Sequence, residues 1–314
     1  MVKLPGILLC ADWSLAPGRR AVYGALPAAR RVLRLAPPAG GWNVERLVEA
    51  AAPHGDAIIG VDAPLGLPAS YLAAARGPFG LDPGAGFVPW LEAALARPAC
   101  FEVGGSAAAW SVARPFFRPP PGKGSLQAFV AAAAQQGVDL WRRGERASGG
   151  KSVFTFGLPG QVGPAAQALW RELGAARATG LSFRIWPFEA ALEEGGVRLA
   201  EIYPRAAYGV ALGEKAPWPS MALAKTQATV RAAAIARLRE ARWIREAEVA
   251  LDGLEEALAS EDEFDACLAA AALLRLQLAG NPLCGAVDEV AEGGILCTWD
   301  PRNDAATARS GDSG

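Results

Sequence analysis

Two short apolar runs in the first part of the chain each end in an aspartate. Residues 6–11 lead into Asp12, and residues 57–61 lead into Asp62. Continuous apolar runs of this length are typical of strands that are buried on both faces of a sheet. A carboxylate at the end of such a strand is costly to bury without a partner, so both aspartates are candidates for a functional role.

The elements around these runs predict an α/β protein. Two more strands are expected over residues 20–25 and 30–35, separated by Pro and Gly positions that favour turns. Asn43 is expected to cap a helix over residues 43–52, whose apolar residues recur on one face. Three strands, a helix and a fourth strand form the opening order of a ribonuclease H-like fold. We therefore expect a mixed five-stranded sheet flanked by helices.

A segment over about residues 69–160 differs from the rest of the chain because it is rich in Pro, Gly and aromatic residues. Its three prolines at 119–121 are incompatible with regular helix or sheet. Long irregular segments of compact domains are usually functional or disordered, so we interpret this one as a large insertion or lid over the site. We expect a single domain over residues 1–300, followed by a disordered tail over 301–314.

A regular pattern resumes after this insertion. Helices are expected over 164–176, 221–241, 247–258 and 261–278, and strands over 181–186 and 197–203. The basic residues from 225 to 245, Lys225 among them, are interpreted mostly as a solvated helix face.

Composition and charge narrow the functional classes. The 314 residues are 52% apolar with a formal net charge of −1 at pH 7, so the whole-chain charge does not indicate nucleic-acid binding, whereas a local basic channel is still allowed. The sequence has neither an uninterrupted run of about 18 apolar residues nor a signal-peptide cleavage pattern, so we expect no membrane partner. The five cysteines form no C-x-x-C pair and lie mostly in apolar runs, which favours buried reduced thiols and a cytoplasmic protein.

Two further acidic residues join Asp12 and Asp62 as candidate ligands. Glu201 lies in a predicted strand, and Asp265 heads the apolar stripe of the last predicted helix. Carboxylates that converge at one sheet edge would form an oxygen-ligand site for a hard divalent cation, which would relieve their mutual repulsion. A single strand-end aspartate is as often a cap or a turn former, so the hypothesis depends on the coincidence of all four.

The acidic residues at the start of the last predicted helix have two different explanations, helix capping and metal binding. Ser260 and Glu263 have the spacing of a capping box, and Glu261 lies in the first turn, where negative charge favours the helix dipole. These two glutamates therefore need no functional explanation. Asp262 lies one turn before Asp265 on a neighbouring face, so the two aspartates could share a metal ion.

Other common active sites fit the sequence less well. The only histidine, His54, lies in a predicted exposed loop, which excludes an H-E-x-x-H zinc site and leaves any Ser-His-Asp triad dependent on this residue. The Gly-rich stretch over 157–163 lacks the Lys-Ser/Thr ending of a P-loop. A tight turn is as good an interpretation of that stretch as a phosphate cradle.

A local cluster of basic residues lies within the predicted insertion. It consists of Arg142, Arg143, Arg146 and Lys151, which lie near Trp141, Phe154 and Phe156. Basic side chains beside aromatic rings contact a nucleic-acid backbone by charge and its bases by stacking. This interpretation stays open beside that of a solvated surface.

Several motifs, taken in order along the chain, resemble those of the domain-of-unknown-function family 429, which is often described as a family of predicted nucleases of ribonuclease H fold. They lie at residues 60–67, 151–154 with 161–163, 185–189, 201–205 and 263–266. The Tyr-Pro motif within 201–205 and the Phe-Asp-Ala motif within 263–266 are the most specific of them. The resemblance extends from about residue 5 to residue 297.

The resemblance implies a ribonuclease H-like core, with the layout of Holliday-junction resolvases, and a Mg²⁺- or Mn²⁺-dependent nuclease that acts on nucleic acid. The catalytic residues would be Asp12, Asp62, Glu201 and Asp265. The metal ligands would be Asp12, Asp62, Asp262 and Asp265. The substrate-binding residues, which belong to the shared motifs, would be Lys151, Gln161 and Arg205. Resolvases commonly have Glu where this chain has Asp62, and the shorter side chain changes where a metal would lie.

Two other functions stay open at this point. Sugar kinases and actin-like ATPases share this core, so a nucleotide-binding or phosphoryl-transfer enzyme is one alternative. Against it stands the absence from the sequence of a second matching core half with its own phosphate loop. The other alternative is a non-catalytic binding protein that has kept the fold.

Overall fold

The chain divides into two compact units. The computed structural model describes residues 5–158, 160–216, 218–284 and 292–298. The first unit comprises residues 1–62, 190–288 and 295–314, and the second comprises residues 63–189 and 289–294. The segment of about 69–160, where we expect an insertion, falls within the second unit, which continues to Glu189. The tail over 301–314, for which the sequence predicts disorder, lies outside the described residues.

The described residues form eight strands and eleven α-helices. The strands are β1 (Ile7–Asp12), β2 (Ala21–Leu26), β3 (Arg31–Arg34), β4 (Ala57–Val61), β5 (Arg184–Ile185), β6 (Val197–Ile202), β7 (Ala250–Leu251) and β8 (Ile295–Leu296). The helices are α1 (Val44–Ala51), α2 (Ala69–Phe79), α3 (Phe87–Leu95), α4 (Ser125–Gln135), α5 (Arg143–Ser148), α6 (Gly163–Ala178), α7 (Pro204–Leu212), α8 (Ala228–Glu240), α9 (Arg242–Glu246), α10 (Leu254–Ala259) and α11 (Glu261–Leu278).

The first unit contains an open mixed sheet with the strand order β6-β4-β1-β2-β3-β7, and β8 pairs with β6. The strand β2 is antiparallel to both of its neighbours, and the other pairs are parallel. The predicted α/β class with a mixed sheet is therefore confirmed. The prediction of five strands is wrong, because the described residues contain eight strands, seven of them in this unit. The two-residue strands β7 and β8 are too short to show a periodic pattern.

The central strands of this sheet are buried as their sequences predict. Every residue of β4 is buried, and only the terminal Asp12 of β1 is partly exposed. The helix α11 packs against β1, β2 and α7 and contributes an unbroken run of buried residues from Phe264 to Leu276. Alanines are frequent in both α7 and α11, and their small side chains allow the two helices to approach closely.

Two predicted caps are present at the helix starts. The Asn43 side chain accepts a hydrogen bond from the Arg46 N–H at 2.8 Å. The Ser260 Oγ accepts one from the Glu263 N–H at 3.4 Å. The Glu263 carboxylate pairs with the Arg34 guanidinium, at 2.9 and 2.6 Å, so α11 is also tied to β3.

The predicted helix over 221–241 begins later than expected. The helix α8 starts at Ala228, and the described residues from 218 to 227 are irregular. This segment is held by its backbone, because the Met221 N–H donates to the Arg205 carbonyl at 2.8 Å and the Arg231 guanidinium donates to the Lys225 carbonyl at 2.6 Å. Lys225 therefore does not lie on a helix face.

The second unit has an aromatic core of its own. The rings of Phe87, Trp90 and Trp170 lie 5.4 to 6.2 Å apart between centroids. Tyr71 and Phe116 each contact Phe154 in the same cluster, at 4.8 and 5.7 Å. The Pro-, Gly- and aromatic-rich sequence therefore folds around packed rings, which contribute beyond the area they bury. None of the helices in the described residues is long and apolar enough to cross a membrane.

A buried ion pair in the first unit allows a test of how that unit compensates a buried charge. The Arg198 guanidinium in β6 is 1% exposed and pairs with the Asp56 carboxylate. We expect Asp56→Ala to lower the free energy of unfolding by about 3–5 kcal/mol, because it leaves an uncompensated buried charge. The double variant Asp56→Ala/Arg198→Met should recover most of this loss in urea denaturation. A double variant no more stable than Asp56→Ala would contradict this account.

Candidate metal centre

Asp12 and Asp62 are placed side by side by the register of two parallel strands. Ala11 of β1 lies opposite Val61 of β4, and the Asp62 N–H donates to the Ala11 carbonyl at 3.0 Å. Asp12 therefore ends β1 and Asp62 follows β4 at the same edge of the sheet. Both of them are partly exposed there.

The third carboxylate comes from the helix that packs on these strands. Asp265 lies in the second turn of α11 and is 1% exposed. One ligand oxygen each from Asp12, Asp62 and Asp265 lies within 4.8 Å of the others. The structure thus brings together the three aspartates that the sequence predicts to converge, and we call them the carboxylate cluster.

The segment after Asp12 is held in place by a buried arginine. The Arg20 guanidinium lies 3.6 Å from the centre of the Trp13 ring and donates to the Ser14 carbonyl at 2.8 Å. It also donates to the Trp42 carbonyl at 2.8 Å. This cation–π and hydrogen-bond arrangement fixes the chain where it leaves β1.

Both oxygens of Asp265 have partners from the first unit. The Tyr208 hydroxyl of α7 donates to Oδ1, and the Lys225 ammonium donates to Oδ2. Tyr208 is 2% exposed, and its ring packs 5.6 Å from that of Phe264. The buried carboxylate is therefore oriented from two sides.

Burial and mutual repulsion disfavour the charged forms of the cluster. Desolvation, followed by the charge of Asp265, raises the pKa of Asp62 to about 8. Desolvation and the charges of Asp62 and Asp265 raise the pKa of Asp12 well above its usual range. Desolvation also raises the pKa of Asp265, although Lys225 and the Tyr208 hydrogen bond oppose this shift. A bound cation would therefore stabilise the charged forms of these carboxylates.

The donor set suits a hard divalent cation. Its oxygens come from carboxylates, two of which are partly exposed, and Mg²⁺ and Mn²⁺ prefer oxygen ligands. The five cysteines are free, four of them buried, and none belongs to the carboxylate cluster. Asp12, Asp62 and Asp265 would therefore hold the ion.

The other two predicted ligands lie near the cluster but outside the group of three. Glu201 lies in β6 opposite Val61, is 6% exposed, and its charge contributes to the raised pKa of Asp62. Asp262 is partly exposed, and its charge contributes to the raised pKa of Asp12. Neither residue is among the three whose ligand oxygens lie within 4.8 Å of one another.

The three predicted substrate-binding residues are all exposed, but they belong to different units. Arg205 is exposed in the first turn of α7 in the first unit, two residues after Tyr203. Lys151 and Gln161 are exposed residues of the second unit, and the Gln161 side chain accepts a hydrogen bond from the Gly157 N–H within a turn.

The basic cluster of the second unit is only partly available to a ligand. Arg142 is 2% exposed and donates to Glu145 at 2.9 Å and to the Glu292 carbonyl at 3.4 Å. The interpretation of Arg142 as a contact to a nucleic-acid backbone is therefore wrong. Arg146 pairs with Asp139 at the surface, where such pairs are weak.

Two residues at the cluster were not recognised from the sequence. The sequence predicts a solvated helix face around Lys225, and Tyr208 carries no signal that separates it from the apolar residues around it. Lys225 lies inside the helix that the sequence predicts over 221–241, so the pattern carries no signal for its role.

No family model matches the chain, and searches of the curated proteins and of the solved structures find no match either. The resemblance to family 429 therefore stays a prediction that depends on the motifs.

The raised pKa of Asp62 predicts a pH dependence of stability in the presence of a chelator. Its ordinary value is 3.8 and its value in the folded protein is about 8, so between these pH values the folded state holds a proton that the unfolded state has released. The free energy of unfolding should therefore fall as pH rises through this window. Asp62→Asn should flatten the decline, measured by urea denaturation from pH 5 to pH 9. An equally steep decline in Asp62→Asn would contradict the assignment.

Proposed function

We propose that this protein is a Mg²⁺- or Mn²⁺-dependent nuclease that hydrolyses phosphodiester bonds of nucleic acid at the carboxylate cluster. The observation that carries the proposal is the approach of one oxygen each from Asp12, Asp62 and Asp265 to within 4.8 Å of one another. These three carboxylates would hold a divalent cation, and the ion would supply Lewis-acid activation for phosphodiester hydrolysis.

The three aspartates would have unequal tasks. Asp12 and Asp62 are partly exposed, so they would hold the cation on the side from which a substrate phosphate arrives. Asp265 is buried and oriented by Tyr208, so it would fix the cation from the protein side. Glu201 and Asp262, whose charges act on the cluster, would complete the shell.

The architecture of the first unit supports the same proposal. Three strands, a helix and a fourth strand open the chain, which is the order expected of a ribonuclease H-like core. The acidic residues lie at the end of the first strand, after the fourth strand and in the long helix α11, where the resemblance to family 429 places them. We propose membership of that family on these grounds.

Nucleic acid is the proposed partner, and exposed basic residues would contact its backbone. The burial of Arg142 removes it from this role, and Arg143, Arg146 and Lys151 are the exposed members of the basic cluster. Phosphate contacts of this kind position the substrate and carry no sequence preference.

The first experiment is a cleavage assay with single-stranded, duplex and branched substrates in Mg²⁺ or Mn²⁺. We expect cleavage that a chelator abolishes and that Asp12→Asn lowers by about 100-fold or more, the loss that several kcal/mol of transition-state stabilisation corresponds to. Asp82→Asn, at an exposed turn, is the matched control and should keep full activity. Hydrolysis of free nucleotides without cleavage of any nucleic acid would favour a phosphoryl-transfer enzyme instead.

A second experiment separates binding from cleavage. Arg143→Ala/Lys151→Ala should weaken nucleic-acid binding and reduce the slope of log affinity against log salt by up to about 2, because each phosphate contact contributes about 1. Arg76→Ala/Lys123→Ala, at an exposed arginine and an exposed lysine outside the basic cluster, removes the same two charges and is the control. Asp265→Asn should still bind but no longer cut. An unchanged salt slope in the double variant would remove these residues from the interface.

A further inference from the structure

The carboxylate cluster already has a cation on it, which the chain itself supplies. The Lys225 ammonium donates to Asp265 Oδ2, and its positive charge also acts on Asp12, Asp62 and Asp262. A positive group among several carboxylates occupies the kind of position in which a metal ion would be stabilised. Lys225 is thus an internal counter-cation of the site.

The two side chains that bind Asp265 differ in burial and in the regularity of the segment that carries them. Tyr208 is 2% exposed and belongs to the regular helix α7. Lys225 belongs to the irregular segment before α8, and its side chain is 34% exposed. Its carbonyl is fixed by Arg231, so the backbone can stay in place while the ammonium moves into solvent.

The ammonium and a divalent cation cannot share Asp265 without mutual repulsion. Oxygen ligands lie about 2.1 Å from Mg²⁺, and a charge-assisted N–H···O bond is about 2.8 Å long. Two positive charges on the same oxygen would therefore lie within about 5 Å of each other, where their repulsion is appreciable even at a high effective dielectric constant.

We propose that Lys225 competes with the divalent cation for the carboxylate cluster. Its ammonium holds Asp265 Oδ2 in the metal-free protein and leaves for solvent when the ion binds, while Tyr208 keeps Oδ1. This inference rests on the proposed metal-dependent function and deepens it, because it makes the affinity for the ion a balance between an external and an internal cation. The metal-free protein is thereby protected from the full repulsion of its own carboxylates.

The test measures Mn²⁺ binding by calorimetry and by the rise in melting temperature, without nucleic acid. Lys225→Met should bind Mn²⁺ roughly tenfold more tightly than the wild type, because one nearby like charge is removed. It should also melt lower in a chelator and gain more from Mn²⁺. Lys215→Met, an exposed lysine before the same irregular segment, should behave as the wild type does.

A second variant guards against loss of folding. Lys225→Gln keeps a hydrogen-bond donor for Asp265 but removes the charge, so it should also bind Mn²⁺ more tightly. Equal or weaker binding by both Lys225 variants overturns the competition.

Asp12→Asn distinguishes this failure from a failure of the proposed function. If Asp12→Asn weakens Mn²⁺ binding while the Lys225 variants leave it unchanged, the metal centre stands and only the competition is wrong. If Asp12→Asn leaves Mn²⁺ binding unchanged, or if no Mn²⁺ binds, both proposals are overturned.

Discussion

The repulsion among three carboxylates at one sheet edge is the constraint on which the site depends. The register of β1 and β4 places Asp12 beside Asp62, and α11 adds the buried Asp265. Such a group is costly unless protons, an ammonium or a metal ion compensate its charge. Two of these compensating groups are present, since the pKa of Asp62 is raised to about 8 and Lys225 pairs with Asp265. A divalent cation would replace both the proton and the ammonium.

The packing of the surrounding elements offsets the unfavourable free energy of the carboxylate cluster. The strands β1 and β4 are buried apolar runs, and α11 packs an unbroken buried stretch against β1, β2 and α7. Burial of this much apolar surface stabilises the unit enough to hold the carboxylates in place before any ligand arrives. Functional groups carried by regular elements are positioned more accurately than groups carried by loops. Lys225 belongs to the irregular segment before α8, and it is the residue that we propose to move.

Many aromatic and polar residues of the second unit are buried, so they are not available to contact nucleic acid. Phe154 and Phe156, two of the three rings that suggest base stacking, are buried and pack against other rings of its core. Arg142 and Glu145 are buried together, and the Glu292 carboxylate accepts hydrogen bonds from the Ala69 and Arg143 N–H groups. These polar groups hold the unit together rather than present a surface. Exposed residues such as Lys151 are better candidates for substrate contact.

The sequence alone determined the elements that carry the acidic residues, because strand and helix periodicities are local. The apolar runs before Asp12 and Asp62, and the position of Asp265 at the head of a helix stripe, were sufficient to predict that the three would meet. Only the tertiary structure decided which residues neutralise them. Lys225 and Tyr208 lie 40 and 57 positions from Asp265 along the chain. An ion pair between an irregular segment and a helix leaves no periodic signal, since it depends on long-range packing of elements whose local sequences are independent of one another.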